Sequence, residues 1–283
     1  MKKAFTILVG IVAAVAASAQ TIPTLLIPTD AESLALAGAT VALEPAAKGD
    51  IEATYGMWAP KTAANNIVGL DAYFHVSDKF ALMVDGSYFM DKPYNTMTAQ
   101  GGLGNTFTPH EMLFGLGGAF KATENVSVAI KAKMFMSTIA SDYSGNAFGA
   151  DVAVKYGTDA FSVALAACNL GSSLTYGSSK TSVPMPMMAK LGGMYTNSGF
   201  TVNGEVDYMF CGALMAGLGA EYMIQDLVAL RAGYHYGDKE KALASYFALG
   251  MGVRVYGVKL DLTYLLASKT LGNTLMFGLG YAF

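Results

Sequence analysis

The chain has 283 residues, of which 53% are hydrophobic and only 14% charged, with a net charge of −3. Soluble domains carry about 25% charged residues, so an ordinary water-soluble globule fits poorly, and so small a net charge excludes nucleic acid or another highly charged partner as the organising feature. The 32 glycines, 16 tyrosines and 15 phenylalanines, with no uninterrupted run of 18 apolar residues beyond Gln20, leave a membrane β-barrel, which meets lipid through alternate residues of many short strands.

In chain order, Lys2 and Lys3 precede an apolar run from Ala4 to Ala17, and Ala17-Ser18-Ala19 supplies the small residues of a cleavage site. Residues 1–19 therefore read as a secretory signal peptide, removed to leave Gln20 first. A spanning helix needs about 20 apolar residues, more than this run holds. No Cys follows the site, so nothing marks a lipoprotein anchor. From Gln20 to Ala53 the pattern is irregular, yet Leu25, Leu26, Ile27, Leu34, Leu36, Val41 and Leu43 carry too much apolar surface to stay solvated. Residues 20–53 are expected to form an N-terminal plug, or hatch, packed inside or beneath the barrel.

Residues 54–283 hold fourteen windows of two-residue alternation: Thr54–Ala59, Asn66–Val76, Phe80–Met90, Met112–Lys121, Asn125–Ser137, Ala147–Gly157, Phe161–Asn169, Met187–Thr196, Phe200–Phe210, Leu214–Met223, Val228–Tyr236, Ser245–Val255, Val258–Leu266 and Asn273–Phe283. Most have the length of a tilted spanning strand. The fold class is all-β: a 14-stranded antiparallel transmembrane β-barrel with an N-terminal plug. Tight turns such as Ser77-Asp78-Lys79, Asn197-Ser198-Gly199 and Tyr256-Gly257 alternate with longer links, notably Asp91 to Glu111 and Leu170 to Pro186. That asymmetry predicts a bacterial outer-membrane location with short periplasmic turns and both termini periplasmic. In Asn273–Phe283, Leu275, Phe277, Leu279, Tyr281 and Phe283 form an apolar face and Gly278, Gly280 and Ala282 a small one, and this strand should pair with the window at Thr54–Ala59.

Charge tests these faces independently. With bulky apolar residues outward, Asp71, Asp85, Lys131, Lys133, Asp151, Lys155, Lys190, Glu205, Asp207, Glu221, Arg231, Arg254, Lys259 and Asp261 all take inward parity. Seven acids and seven bases make a balanced set, which favours internal ion pairing over a channel selective for one sign. Gly115, Gly117, Gly217, Gly219, Gly250 and Gly252 are also inward, leaving room that the plug could fill. Met83, Met188, Met194, Met215 and Met223 face inward as an adaptable apolar path or as gap fillers around the plug.

His75 and His235 take inward parity, but neither they nor His110 belong to a metal-ligand spacing, and no G-x-S-x-G turn supports a nucleophile. No catalytic residue, cofactor site or metal site is expected. Cys168 and Cys211 would enter an oxidising compartment, where they could be bonded or free.

Asp226–Gly237, Ala248–Tyr264 and Leu271–Gly280, with Ala167–Gly177 followed by Val183–Tyr195 and the early D-A-E-S-L-A-L-A-G-A-T-V-A-L, resemble the PorV/PorQ family of Bacteroidota outer-membrane proteins. That family is similar in turn to the FadL long-chain fatty-acid transporters, fourteen-stranded barrels with an N-terminal hatch. Tyr55-Gly56-Met57-Trp58-Ala59-Pro60 matches the family's W-N-P-A-like run only in part. The resemblance implies a non-enzymatic accessory or partner-binding subunit of type IX-like protein secretion or outer-membrane assembly, contacting protein partners through 91–111 and 170–186. The alternative is a FadL-like passive transporter of a hydrophobic small molecule.

Overall fold

The computed structural model describes residues 22–42, 48–58, 65–98, 101–141, 143–177, 182–238, 242–267 and 274–283. The expected signal peptide, 1–19, lies outside them. The strands in chain order are β1 (Gly49–Trp58), β2 (Asn65–Ser77), β3 (Phe80–Met90), β4 (Tyr94–Met97), β5 (Leu103–Phe107), β6 (His110–Lys121), β7 (Val126–Ala140), β8 (Tyr143–Gly157), β9 (Phe161–Gly171), β10 (Ser173–Thr175), β11 (Ser182–Pro184), β12 (Met188–Asn197), β13 (Phe200–Met209), β14 (Ala213–Ile224), β15 (Val228–Gly237), β16 (Tyr246–Val255), β17 (Val258–Ala267) and β18 (Leu275–Ala282). Fourteen of them close one antiparallel barrel, and the others form two small hairpins, β4–β5 and β10–β11, within the longer links.

Closure runs from Asp50 opposite Ala282 to Met57 opposite Leu275. Gly49 and Phe283 exchange backbone hydrogen bonds of 3.0 and 2.9 Å beyond that ladder. Strand β1 thus begins at Gly49 rather than at Thr54, and the expected division between residues 53 and 54 falls inside a strand. The strand extends through Asp50 and Glu52 because both occupy the inward parity, where Glu52 is buried, so their charge does not end the alternation.

The tight turns cluster at one end. At Ser198-Gly199 and Tyr256-Gly257 both residues have positive φ, 51° and 79°, then 49° and 82°, the two-residue geometry whose twist matches that of the flanking strands. The longer links leave the opposite end, called here the loop end.

The outer surface follows the alternation. Leu191, Leu218, Phe247, Leu249, Leu260 and Leu279 are all more than half exposed, part of a belt around the barrel. Soluble monomers rarely expose contiguous apolar patches beyond a few hundred Å². This surface suits hydrocarbon, which a closed barrel can meet because its strands hydrogen-bond to one another around the wall.

Residues 22–42 thread the lumen. A turn of 3₁₀ helix, Pro23–Leu26, leads to the short helix α1 (Ala31–Ala35), whose first turn is capped by the Asp30 carboxylate accepting from the Ser33 amide at 2.7 Å. Ala37 and Gly38, with φ of 60° and 74°, stop it. Ala31, Leu34 and Ala35 are fully buried, so tertiary packing holds a helix too short to persist alone. The segment starts toward the loop end, where Ile22 packs with Phe135, Ala147, Leu174 and Met185. It reaches the short-turn half at Ala42, whose carbonyl accepts from Ser162 Oγ at 2.6 Å. Ile22 thus lies toward the end opposite Phe283. Cys168 and Cys211 are free thiols packed against a second apolar cluster that includes Ile27, Leu34, Met188 and Tyr246.

Candidate functional site in the lumen

Small residues on the inner wall let the hatch approach the backbone. A Cβ added at Gly217 would lie 2.7 Å from the Ala37 carbonyl oxygen, and one at Gly233 would lie 2.6 Å from that of Ala35. At Gly250 it would lie 2.5 Å from the Ala35 Cβ. Helix α1 is therefore seated on wall positions that carry no side chain.

Polar wall residues then satisfy hatch backbone groups that the lumen would otherwise orphan. Thr54 Oγ1 donates to the Thr29 carbonyl at 2.5 Å and Thr263 Oγ1 to that of Ala31 at 2.6 Å. Asn203 Nδ2 donates to the Ala39 carbonyl, and the Val41 amide donates to Glu205 Oε2 at 2.7 Å. Thr24 Oγ1 donates to Glu111 Oε2 at 2.5 Å. These contacts come from β1, β6, β13 and β17, so the hatch is tied to opposite sides of the wall.

None of the fourteen charged residues assigned to the interior is exposed. Lys131 meets Asp85 at 2.5 Å, Lys133 meets Asp151 at 2.6 Å, and Lys190 lies 2.7 Å from Glu205 and 3.1 Å from Asp207. Arg231 contacts Glu221 at 2.6 Å and Asp261 at 2.5 Å, while Arg254 contacts Asp261 at 2.8 Å. Glu32 of α1 receives both arginines at 3.1 Å, and Lys259 spans Asp50 at 2.7 Å and Glu52 at 3.1 Å. Lys155 is half-buried in the same interior.

The expected balance of seven and seven does not hold. Asp50, Glu52 and Glu111 lie on wall strands outside the windows, and the hatch adds Asp30 and Glu32, raising the acids from seven to twelve. Three of the five fell outside because the windows at Thr54 and Met112 opened after charged residues. A usable signal for the other two existed: Asp30 three residues before Ser33, with Glu32 between, is the start of a capped helix.

Between the hatch and the wall lies a cavity of about 370 Å³. Its apolar lining includes Leu25, Ile27, Leu113, Met188 and Met215, and its polar lining includes Asp71, Ser87, Asp207 and Tyr246. Met188 and Met215 are thus brought to one space, whereas Met83, Met194 and Met223 are half-buried elsewhere along the wall. His235 reaches the cavity, stacks on Tyr246 with ring centroids 4.9 Å apart, and has Nδ1 3.3 Å from the Ala37 carbonyl oxygen. His75 is exposed, with Nε2 3.2 Å from the Tyr73 hydroxyl, and His110 Nδ1 lies 3.1 Å from the Thr108 carbonyl oxygen. Among the described residues no group of three or more His, Cys, Asp or Glu is arranged to hold a metal. Tyr246 escaped notice in the sequence because it opens its strand beside Ser245, at a rim where parity is hard to assign.

The closed fourteen-stranded barrel matches FadL-like barrels in fold. Among solved structures, the chain is similar to the toluene transporter TodX of Pseudomonas putida, at 11% identity and TM-score 0.60, covering 90% of this chain and 95% of that one. The toluene transporter TbuX of Ralstonia pickettii follows, at 10% identity and TM-score 0.58 over 90% and 94%. A FadL homologue of Pseudomonas aeruginosa is similar at 12% identity and TM-score 0.53 over 91% and 95%. No family model and no curated protein matches the sequence. These likenesses establish a shared fold, the broader part of the resemblance read from the sequence, and do not bear on its PorV/PorQ part.

Proposed function

We propose that the chain is a non-enzymatic barrel of the bacterial outer membrane that passes a small, largely apolar molecule, with residues 22–42 as its gate. The observation that carries this reading is the cavity lined on one side by the hatch and on the other by Met188, Met215, Leu113 and Tyr246. A space bounded by a separate segment can open when that segment shifts, and apolar side chains interspersed with polar groups let such a space hold a small molecule. Barrels of the same fold that transport toluene support the choice of cargo class.

The secretion-subunit reading draws less support from the loop end. The described part of this link, 170–177 and 182–186, packs onto the barrel, with Leu174 fully buried in the cluster that holds Ile22 and the Tyr176 hydroxyl donating to Ser137 Oγ at 2.9 Å. This leaves it covering the mouth rather than standing free for a protein partner.

Uptake tests the proposal. A host lacking any channel of this fold is supplied with the barrel or an empty vector, and entry of radiolabelled toluene is followed at concentrations where bulk diffusion is slow. Faster entry with the barrel is the expected result; equal rates at matched, correctly folded expression would overturn the reading.

A further inference from the structure

The cavity's polar groups define a narrower cargo than its apolar walls do. Six carboxylates line it, those of Asp30, Asp71, Asp85, Asp151, Glu205 and Asp207, against the three lysines Lys131, Lys133 and Lys190. Each lysine is already held by a carboxylate at 2.5 to 2.7 Å. No arginine is among the described residues lining this space. The positive charge is therefore consumed by the wall, and an incoming anion would meet carboxylates without a free cation to receive it.

Several lining atoms have no partner. Tyr246 is 2% exposed and its hydroxyl makes no hydrogen bond. Asp207, 8% exposed, leaves Oδ1 unpaired, and Ser87, 7% exposed, leaves Oγ unpaired. Asp71 Oδ2 is likewise buried and unpaired, with Asp85 directly opposite on the neighbouring strand. Native proteins pair nearly all such groups, so a set of them around one cavity points to something that completes them. All four can accept a hydrogen bond, and a carboxylate oxygen in its ionised form can do nothing else.

We infer that this cavity binds a small organic amine in its ammonium form, the N–H groups donating to Asp71 and the other open acceptors while the apolar body lies against Leu113, Met188 and Met215. This rests on the proposed transport function and names its cargo. An ammonium desolvated here gains charge-assisted hydrogen bonds, whereas a carboxylate of the same shape is repelled. A volume of about 370 Å³ sits at the small end of ligand pockets, suited to a single-ring molecule.

The test uses the full barrel in detergent at pH 7 and three probes sharing one ring: benzylamine, toluene and benzoate. Titration calorimetry should rank benzylamine first, toluene roughly tenfold weaker and benzoate without measurable binding. Asp71→Asn should narrow the benzylamine-over-toluene ratio by roughly tenfold, with heat-modifiable gel mobility reporting that the variant has closed. The ranking on the unsubstituted barrel needs no variant and stands alone. Benzoate or toluene binding as tightly as benzylamine would overturn the amine inference and leave transport intact. Binding of none of the three would overturn both.

Discussion

Glu32 Oε2 lies 3.1 Å from Arg231 Nη2, a contact that ties the lumenal segment to the wall through a cation the wall already holds with Glu221 and Asp261. The two ends of this pair are unequal. Arg231 is 5% exposed and serves three carboxylates, while the Glu32 side chain keeps 32% of its surface open. Glu32→Ala should therefore cost about 1 kcal/mol or less and increase protease cleavage within 22–42. Arg231→Ala strands buried carboxylates and should cost about 3–5 kcal/mol. Thermal unfolding in detergent, run beside limited proteolysis, separates a loosened hatch from a weakened barrel.

Crowding the seat of α1 should release the hatch without opening the barrel. Gly233→Leu would drive a side chain into the Ala35 carbonyl, whose oxygen lies 2.6 Å from where a Cβ would stand. Overpacking of this kind costs about 1–3 kcal/mol. The expected result is a protease-sensitive hatch in a barrel that still shows heat-modifiable mobility; full protection of residues 22–42 would contradict the seating described here.

Locking the hatch should stop passage. A Cβ built at Gly278 lies 3.4 Å from the Ala31 Cβ, close to the separation a disulfide requires. Ala31→Cys with Gly278→Cys, in a background where Cys168 and Cys211 are Ser, should block uptake when oxidised and restore it on reduction. Unchanged uptake by the crosslinked form would show that cargo does not need the hatch to move.

The two faces of one strand should respond oppositely to charge. Leu218, mid-strand in β14 and 60% exposed, meets lipid, so Leu218→Lys should lower stability by about 2–4 kcal/mol in reversible folding from urea into bilayers. Lys is already native on the inner face of the barrel at positions 131 and 133 of β7 and 190 of β12, each beside a carboxylate. A neutral effect of Leu218→Lys would argue against bilayer contact at that position.

Parity made the barrel legible. In β17, Leu260 lies outward and Asp261 inward and buried, and that two-residue rhythm repeats with enough strands to count. It failed where charge or a rim residue broke the rhythm, as at Asp50 and Glu52 in β1 and at Tyr246 in β16. The candidate site was less legible for a different reason. The lysines and aspartates could be placed indoors one by one, but Lys190 meets Glu205 and Lys133 meets Asp151 only through registers between strands. The cavity depends further on where the hatch lies, and 22–42 has no periodicity that fixes its path. Glycines facing inward signalled that something approached closely; they did not say which backbone.

Joining Gly49 to Phe283 also sets the order in which the molecule can be completed. Strand β1 is made near the start of the chain, yet its partner β18 lies across almost the whole sequence, so the seam is the most expensive contact to reach in chain entropy. Until it forms, β1 and β18 each present an unpaired edge to their surroundings, a ready template for another chain. Sealing the seam removes both edges at once, and because Ala31 rests beside Gly278 of β18, the same step finishes the seat of the hatch. Assembly of the wall and docking of the lumenal segment are thus expected to end in a single late event, and a chain lacking β18 should aggregate or await a helper rather than accumulate as an open barrel.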